Sequence, residues 1–172
     1  MTIEEYYNAI APKLTNYLVG SGSSYAQACD IVQESFLRLW KRRDELMDDM
    51  SQVSGLVYTI ARNLRKDMAR KAAHESLQAD ITDEDETAPV SVDGNRPGEA
   101  DEETRLLRRR LNAALKDVPP LLREAFLLFH VSGLSIAEIS RQTGAAESLV
   151  KVRIFRAKEK LREILKQPVT FS

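Results

Sequence analysis

Only one cysteine, Cys29, occurs in 172 residues, so no internal disulfide framework is possible, and its thiol fits a reducing compartment. The two histidines, His74 and His130, lack metal-ligand spacing with each other or with Cys29, so no metal site is expected. No Gly-rich phosphate loop, Ser/His/Asp set or paired-carboxylate motif occurs, so neither catalysis nor a cofactor is expected. No apolar run approaches the length of a membrane span, and Met1-Thr-Ile-Glu-Glu lacks a basic signal-peptide start. These absences predict a soluble, cytoplasmic chain that acts by binding.

A net charge of −1 conceals how the charge is distributed. Residues 1–74 carry ten Lys/Arg and nine Asp/Glu; residues 75–103 carry one Arg and eleven acids. Residues 104–172 carry fourteen bases and six acids. An acidic strip therefore joins a near-neutral part to a basic end.

Residues 1–74 hold one proline, Pro12, few glycines and no strand-like alternation, so they read as a helical bundle. Tyr6, Ile10, Leu14 and Tyr17 stripe a first helix over 3–19, which Gly20-Ser-Gly-Ser-Ser24 breaks. A second helix over 25–43 turns Cys29, Val32, Phe36 and Leu39 or Trp40 inward. A polar loop over 44–52 precedes a third helix over 53–73, striped by Val53, Val57, Ile60, Leu64 and Met68. Residues 75–103, with Pro89, Gly94, Pro97 and Gly98 and few large apolar residues, read as an acidic flexible linker. Helices over 104–116 and 121–131 follow, separated by Val118-Pro-Pro120. The fold class is all-α: two small helical domains, 1–74 and 104–172, with the linker 75–103 between them.

The basic end contains a helix-turn-helix pattern. Ile136, Ile139 and Thr143 share one face of a short helix, and Gly144 suits a turn that needs positive φ. A helix from Ala145 to Leu165 then carries Val150, Ile154, Ala157 and Leu161 inward. Lys151, Arg153, Arg156, Lys158, Lys160 and Arg162 are left on its outward side. Such a helix can lie in a major groove, where cations meet phosphates and guanidinium groups read guanine.

Two further stretches carry a family resemblance. Asp30-Ile-Val-Gln-Glu-Ser-Phe-Leu-Arg-Leu-Trp40 with Tyr58-Thr-Ile-Ala-Arg-Asn63 resembles conserved region 2 of bacterial sigma factors. Val118-Pro-Pro-Leu-Leu-Arg-Glu-Ala-Phe-Leu-Leu128, Gly133-Leu-Ser135, Val150-Lys151, Arg153, Arg156-Ala157 and Leu161 resemble conserved region 4. Only these two regions, in this order and on a short tether, is a layout similar to the extracytoplasmic-function group of the sigma-70 family.

The resemblance implies an RNA polymerase sigma factor that reads −35 and −10 promoter elements. Its implied partners are core RNA polymerase and promoter DNA, duplex at −35 and single-stranded at −10. An anti-sigma factor is a common partner in the group, although no residue here identifies one. Carried over by position, core polymerase would be met by Asp30, Gln33, Glu34 and Arg38. The −10 strand would be met by Arg62, Asn63, Arg65, Lys66 and Arg70, with Asn63 beside the pocket for a flipped base. The loop 44–52 would build that pocket, lined by its methionines. The −35 duplex would be met by Ser148, Lys151, Arg153, Arg156 and Lys158, with Ser148 placed to cap the recognition helix.

Departures from the family pattern are specific. Leu56 replaces a common Trp and Thr59 a common basic residue, which predicts weaker strand separation. Leu149 and Val152 replace hydroxyl residues, and Phe155 stands where a polar residue is usual. The residues alone also permit a stand-alone helix-turn-helix regulator, with 1–74 as a dimerisation or sensor domain. The acidic linker reads as a solvated spacer or as a mimic of nucleic acid. Its charge, opposite to that of the basic end, favours closure of the free chain.

Overall fold

Short polar residues ahead of apolar periodic segments set the helix starts. The computed structural model describes residues 2–46, 48–76 and 101–166, and every element in them is helical. Thr2 accepts the Glu5 amide and Glu5 accepts the Thr2 amide, opening α1 (Ile3–Gly20). Ser24 and Gln27 exchange the same two bonds before α2 (Tyr25–Lys41). A short 3-10 turn, Arg43–Glu45, leads to α3 (Met50–Ser76). Asp101 accepts the Thr104 amide at 2.8 Å and starts α4 (Glu102–Lys116). Pro119 and Pro120 open α5 (Pro120–His130), where a missing N–H costs nothing. Ser135 and Glu138 form another reciprocal cap before α6 (Ile136–Thr143), and α7 (Glu147–Lys166) follows.

α1, α2 and α3 pack as a three-helix unit around Leu14, Tyr17, Leu18, Val32, Leu39 and Val57, all nearly inaccessible to water. α4, α5 and α6 pack on α7 around Leu115, Leu128, Ile139, Val150 and Ala157. The two units also touch. α1 lies against α4 and α5, and α3 lies against α6, so the buried residues form one continuous cluster. Gly20 marks the closest approach: a Cβ there would stand 2.7 Å from Leu127 Cδ2.

Several expected boundaries and stripes differ. α3 begins at Met50 and runs through Ser76, so the expected loop 44–52 shrinks to the 3-10 turn and a few residues. Two of its acids are structural: Asp48 accepts the Tyr6 hydroxyl at 2.7 Å and Asp49 accepts the Ser51 amide at 3.0 Å. Asp101, Glu102 and Glu103, counted with the acidic linker, instead start α4, where the helix dipole favours negative charge. Within α2, Ala28 and Ile31 are buried, Cys29 is half-buried, and Trp40 points out at 48 % exposure. Within α3, Tyr58 and Ala61 complete the buried stripe, whereas Ile60 and Leu64 are partly buried and Met68 is exposed. Residues 77–100, which hold most of the expected linker, lie outside the described residues, as does Met47.

The turn between α6 and α7 rests on one backbone conformation. Gly144 has φ of +76°, and its amide donates to the Ser140 carbonyl at 2.9 Å. No atom stands within 4 Å of where its Cβ would be, so the left-handed backbone is the whole obstacle to a side chain. Gly144→Ala should destabilise the fold by about 1–2 kcal/mol and Gly144→Asn by less, read as melting temperature. Equal stability of all three proteins would show that the turn does not need this conformation.

Candidate nucleic-acid interface

Three surfaces hold the residues singled out by the sequence. On α2, Asp30, Gln33, Glu34 and Arg38 all face solvent, opposite Ile31, Val32, Ser35 and Phe36. Arg38 Nε donates to Glu34 Oε1 at 3.1 Å, with both side chains half exposed. Such a pair contributes little stability in water. Leu37 and Trp40 stand exposed beside them, and the Arg43 guanidinium lies 4.3 Å over the Trp40 ring. Leu37 was not singled out by sequence reasoning. Its place between Glu34 and Arg38, on the outward side of α2, was the available signal.

The second surface, on α3, splits in two. Asn63, Lys66 and Arg70 recur at helical spacing and form an exposed ridge. Arg62 and Arg65 turn instead toward α5, α6 and α7. Arg62 Nη2 pairs with Glu124 Oε1 at 2.5 Å, and its Nη1 donates to the Gln142 carbonyl at 2.6 Å. The two side chains of that ion pair are 11 % and 16 % exposed. Gln142 Nε2 donates to the Gly55 carbonyl at 2.6 Å, and Thr59 Oγ1 lies 3.1 Å from Gln142 Oε1. Ser51 Oγ lies 3.3 Å from Glu138 Oε2 at the edge of the same seam. Arg62 is thus not an open nucleic-acid contact in this arrangement. It clasps the two units together.

Tyr17 lies under the clasp, its ring edge-on to Tyr58 with centroids 5.6 Å apart. Burial and the neighbouring Glu124 carboxylate raise the Tyr17 phenol above its usual value, against the opposing pull of Arg62 and Arg65. Burial likewise drives Tyr58 up, with Ser132 opposing. Both phenols stay neutral, so neither neutralises Arg62. Arg65 faces Arg123, whose own ionisation is lowered by burial and by Arg65. A cleft of about 540 Å³ opens there, lined by Arg62, Arg65, Lys66 and Arg153 with Leu121 and Leu149. Like charges converge in it with Glu124 as the counter-charge. The cleft suits an anion, and it opposes its own closure.

The third surface is α7. Ser148, Lys151 and Arg156 are exposed, Arg153 is half-buried at the cleft, and Lys158 is half-buried near His130. The expected cations therefore flank the helix rather than share one face. Ser148 is not the cap, because α7 begins at Glu147 and the Val150 amide bonds back to Ala146. Between the cations Leu149, Val152 and Phe155 stand exposed. His130 packs on Phe126 and Phe129, with ring centroids 4.8 Å and 4.9 Å away. Burial and then Lys158 lower its ionisation. Among the described residues no group of His, Cys, Asp and Glu could hold a metal ion, and no helix is long and apolar enough to cross a membrane.

Comparison with known proteins adds independent findings. The family model for Sigma-70 region 2 matches residues 6–75, and that for Sigma-70 region 4 matches residues 108–161. RNA polymerase sigma factor CarQ of Myxococcus xanthus is 32% identical over 162 residues, covering 94% of this chain and 88% of that protein. ECF RNA polymerase sigma factor SigL of Mycobacterium tuberculosis is 30% identical over 94% of this chain and 87% of its own length. Among solved structures, the sigma factor RpoE from Bartonella quintana, crystallised with the anti-sigma factor NepR, superposes with a TM-score of 0.71. It covers 95% of this chain and 96% of its own at 24% identity, a likeness of fold.

Removing one partner of a buried ion pair leaves the other charge uncompensated, at about 3–5 kcal/mol. Separation of the units rehydrates Arg62, so Glu124→Ala should open the seam rather than unfold either unit. The radius of gyration by small-angle scattering should rise, and affinity for single-stranded DNA should rise with it. Adding Arg62→Ala to Glu124→Ala should recover part of the closure. An unchanged scattering profile for Glu124→Ala would show that the pair does not hold the units together.

Proposed function

Because this chain belongs to the sigma-70 family, in its extracytoplasmic-function group, we infer that it confers promoter recognition on RNA polymerase and supports initiation at −35/−10 promoters. The observation that carries the residue-level reading is the pair of separate basic surfaces in one chain. The ridge Asn63–Lys66–Arg70 suits an unpaired strand, and α7 suits a duplex groove. We assign residues 1–74 to core-polymerase and −10 binding and residues 104–172 to −35 binding, with 75–103 between them. The partners are core RNA polymerase and promoter DNA, and we include an anti-sigma factor because the group commonly has one. The role is recognition in the cytoplasm, not catalysis. A stand-alone regulator would need neither the α2 face nor a second nucleic-acid surface.

Asp30, Gln33, Glu34 and Arg38 supply the charged contacts to core polymerase, and the neighbouring Leu37 and Trp40 supply apolar area. Asn63 offers one amide donor and one carbonyl acceptor to a base edge, while Lys66 and Arg70 follow the backbone. Arg62 and Arg65 join them when the seam opens. On α7, Arg156 has the fork that reads guanine, Lys151, Arg153 and Lys158 meet phosphates, and Ser148 offers a hydroxyl. The −10 and −35 elements lie about two duplex turns apart, roughly 60–70 Å. A closed seam joined through Arg62 cannot serve both, so promoter binding requires opening.

Reversing Asp30 and Glu34 to Lys should leave the fold intact, since both side chains are exposed. It should weaken copurification with core polymerase by about 2–5 kcal/mol at a desolvated interface. With holoenzyme, Asn63→Ala should change base preference in the single-stranded −10 region, and Arg156→Ala should weaken −35 duplex binding by about 1–3 kcal/mol. Full core binding by the charge-reversed protein would contradict the α2 assignment. No promoter-directed transcript with core enzyme would contradict the function itself.

A further inference from the structure

The outward side of α7 carries a feature that phosphate binding does not use. Leu149, Val152 and Phe155 are 43 %, 41 % and 61 % exposed, at spacings of three. At about 100° per residue the row crosses the helix face opposite the buried Val150, Ile154, Ala157 and Leu161. It covers about 9 Å of helix rise, the stacking height of two to three base pairs. Lys151 lies on one flank, and Arg153, Arg156 and Lys160 on the other. Lys158, three residues beyond Phe155, ends the row at its C-terminal side.

We propose that this row is a sequence-reading surface in which Val152 and Phe155, assisted by Leu149, recognise thymine C5-methyl groups on the floor of the major groove. The inference rests on the proposed −35 role of α7. A row one side chain wide with cations on both sides and Lys158 at its end matches a groove about 12 Å wide with phosphates on both walls and methyl groups only where thymine occurs. A protein partner would call for a broader apolar patch without cations on both borders. The row also explains the missing hydroxyls: Leu149 and Val152 give up phosphate hydrogen bonds and gain the contact that a methyl group rewards. Specificity therefore shifts from hydrogen bonding toward thymine at the base pairs beneath Val152 and Phe155.

The test uses holoenzyme assembled from the full chain and core polymerase. A promoter library randomised across the −35 region is selected for binding, and recovered duplexes are resynthesised with deoxyuridine replacing thymidine one position at a time. Removing a recognised methyl should weaken binding about fourfold per position. Val152→Ser or Phe155→Ser should abolish that penalty at its own position, while Val152→Thr, which keeps one methyl, should retain part of it. Selected duplexes that tolerate deoxyuridine everywhere would overturn this inference and leave the sigma reading standing. Failure to select any duplex would overturn both. Loss of core-polymerase affinity in Phe155→Ser without DNA would assign the row to a protein contact and also overturn it.

Discussion

The arrangement of the two halves depends on the ion pair between Arg62 and Glu124. Nearly dry, it joins α3 to α5, while the Gln142 carbonyl takes the other guanidinium arm and joins α3 to α6. A pair in that setting gains little net stability, because desolvation offsets most of its attraction. Breaking it while the seam stays shut is expensive. Arg65, Lys66 and Arg153 line the cleft beside it, Arg123 repels Arg65, and these like charges oppose closure. Arg62 is therefore the charged latch of a seam that is also apolar where Gly20 meets Leu127, and a phosphate can compete with Glu124 for it. The charge pattern of the sequence favours closure through the acidic linker as well. The buried pair is screened much less by salt than an exposed linker contact would be.

Much of the fold was readable because its signals are local. The α1 stripe Tyr6, Ile10, Leu14 and Tyr17 is buried as its spacing predicts, and so is the α7 stripe Val150, Ile154, Ala157 and Leu161. Gly144 takes the left-handed turn expected of it. Misreadings came where one residue type serves two purposes. Asp101, Glu102 and Glu103 looked like more of the acidic tether but are a helix start. Trp40, apolar in any composition count, faces out under Arg43. The placement of Arg62 was not readable, since its partners are distant in the chain and a cation on a basic helix looks the same whether paired or free.

The departures from the family pattern acquire physical roles. Thr59, where a base is common, sits beside Gln142 and fits the seam, where a longer cation would meet Arg141 and Gln142. Leu149 and Val152, where hydroxyls are common, stand exposed on the recognition helix beside Phe155. The first kind of change favours closure of the free chain. The second alters what the open chain reads.

Clasped together in the free chain, the two candidate nucleic-acid surfaces must separate for both to reach their promoter elements. Spin labels at Asp67→Cys on α3 and Glu147→Cys on α7, in a Cys29→Ser background, report the separation directly. All three positions lie outside the proposed DNA contacts. One narrow, short distance is expected for the free chain and a longer one after core polymerase and promoter DNA are added. The same distance in both states would contradict that separation.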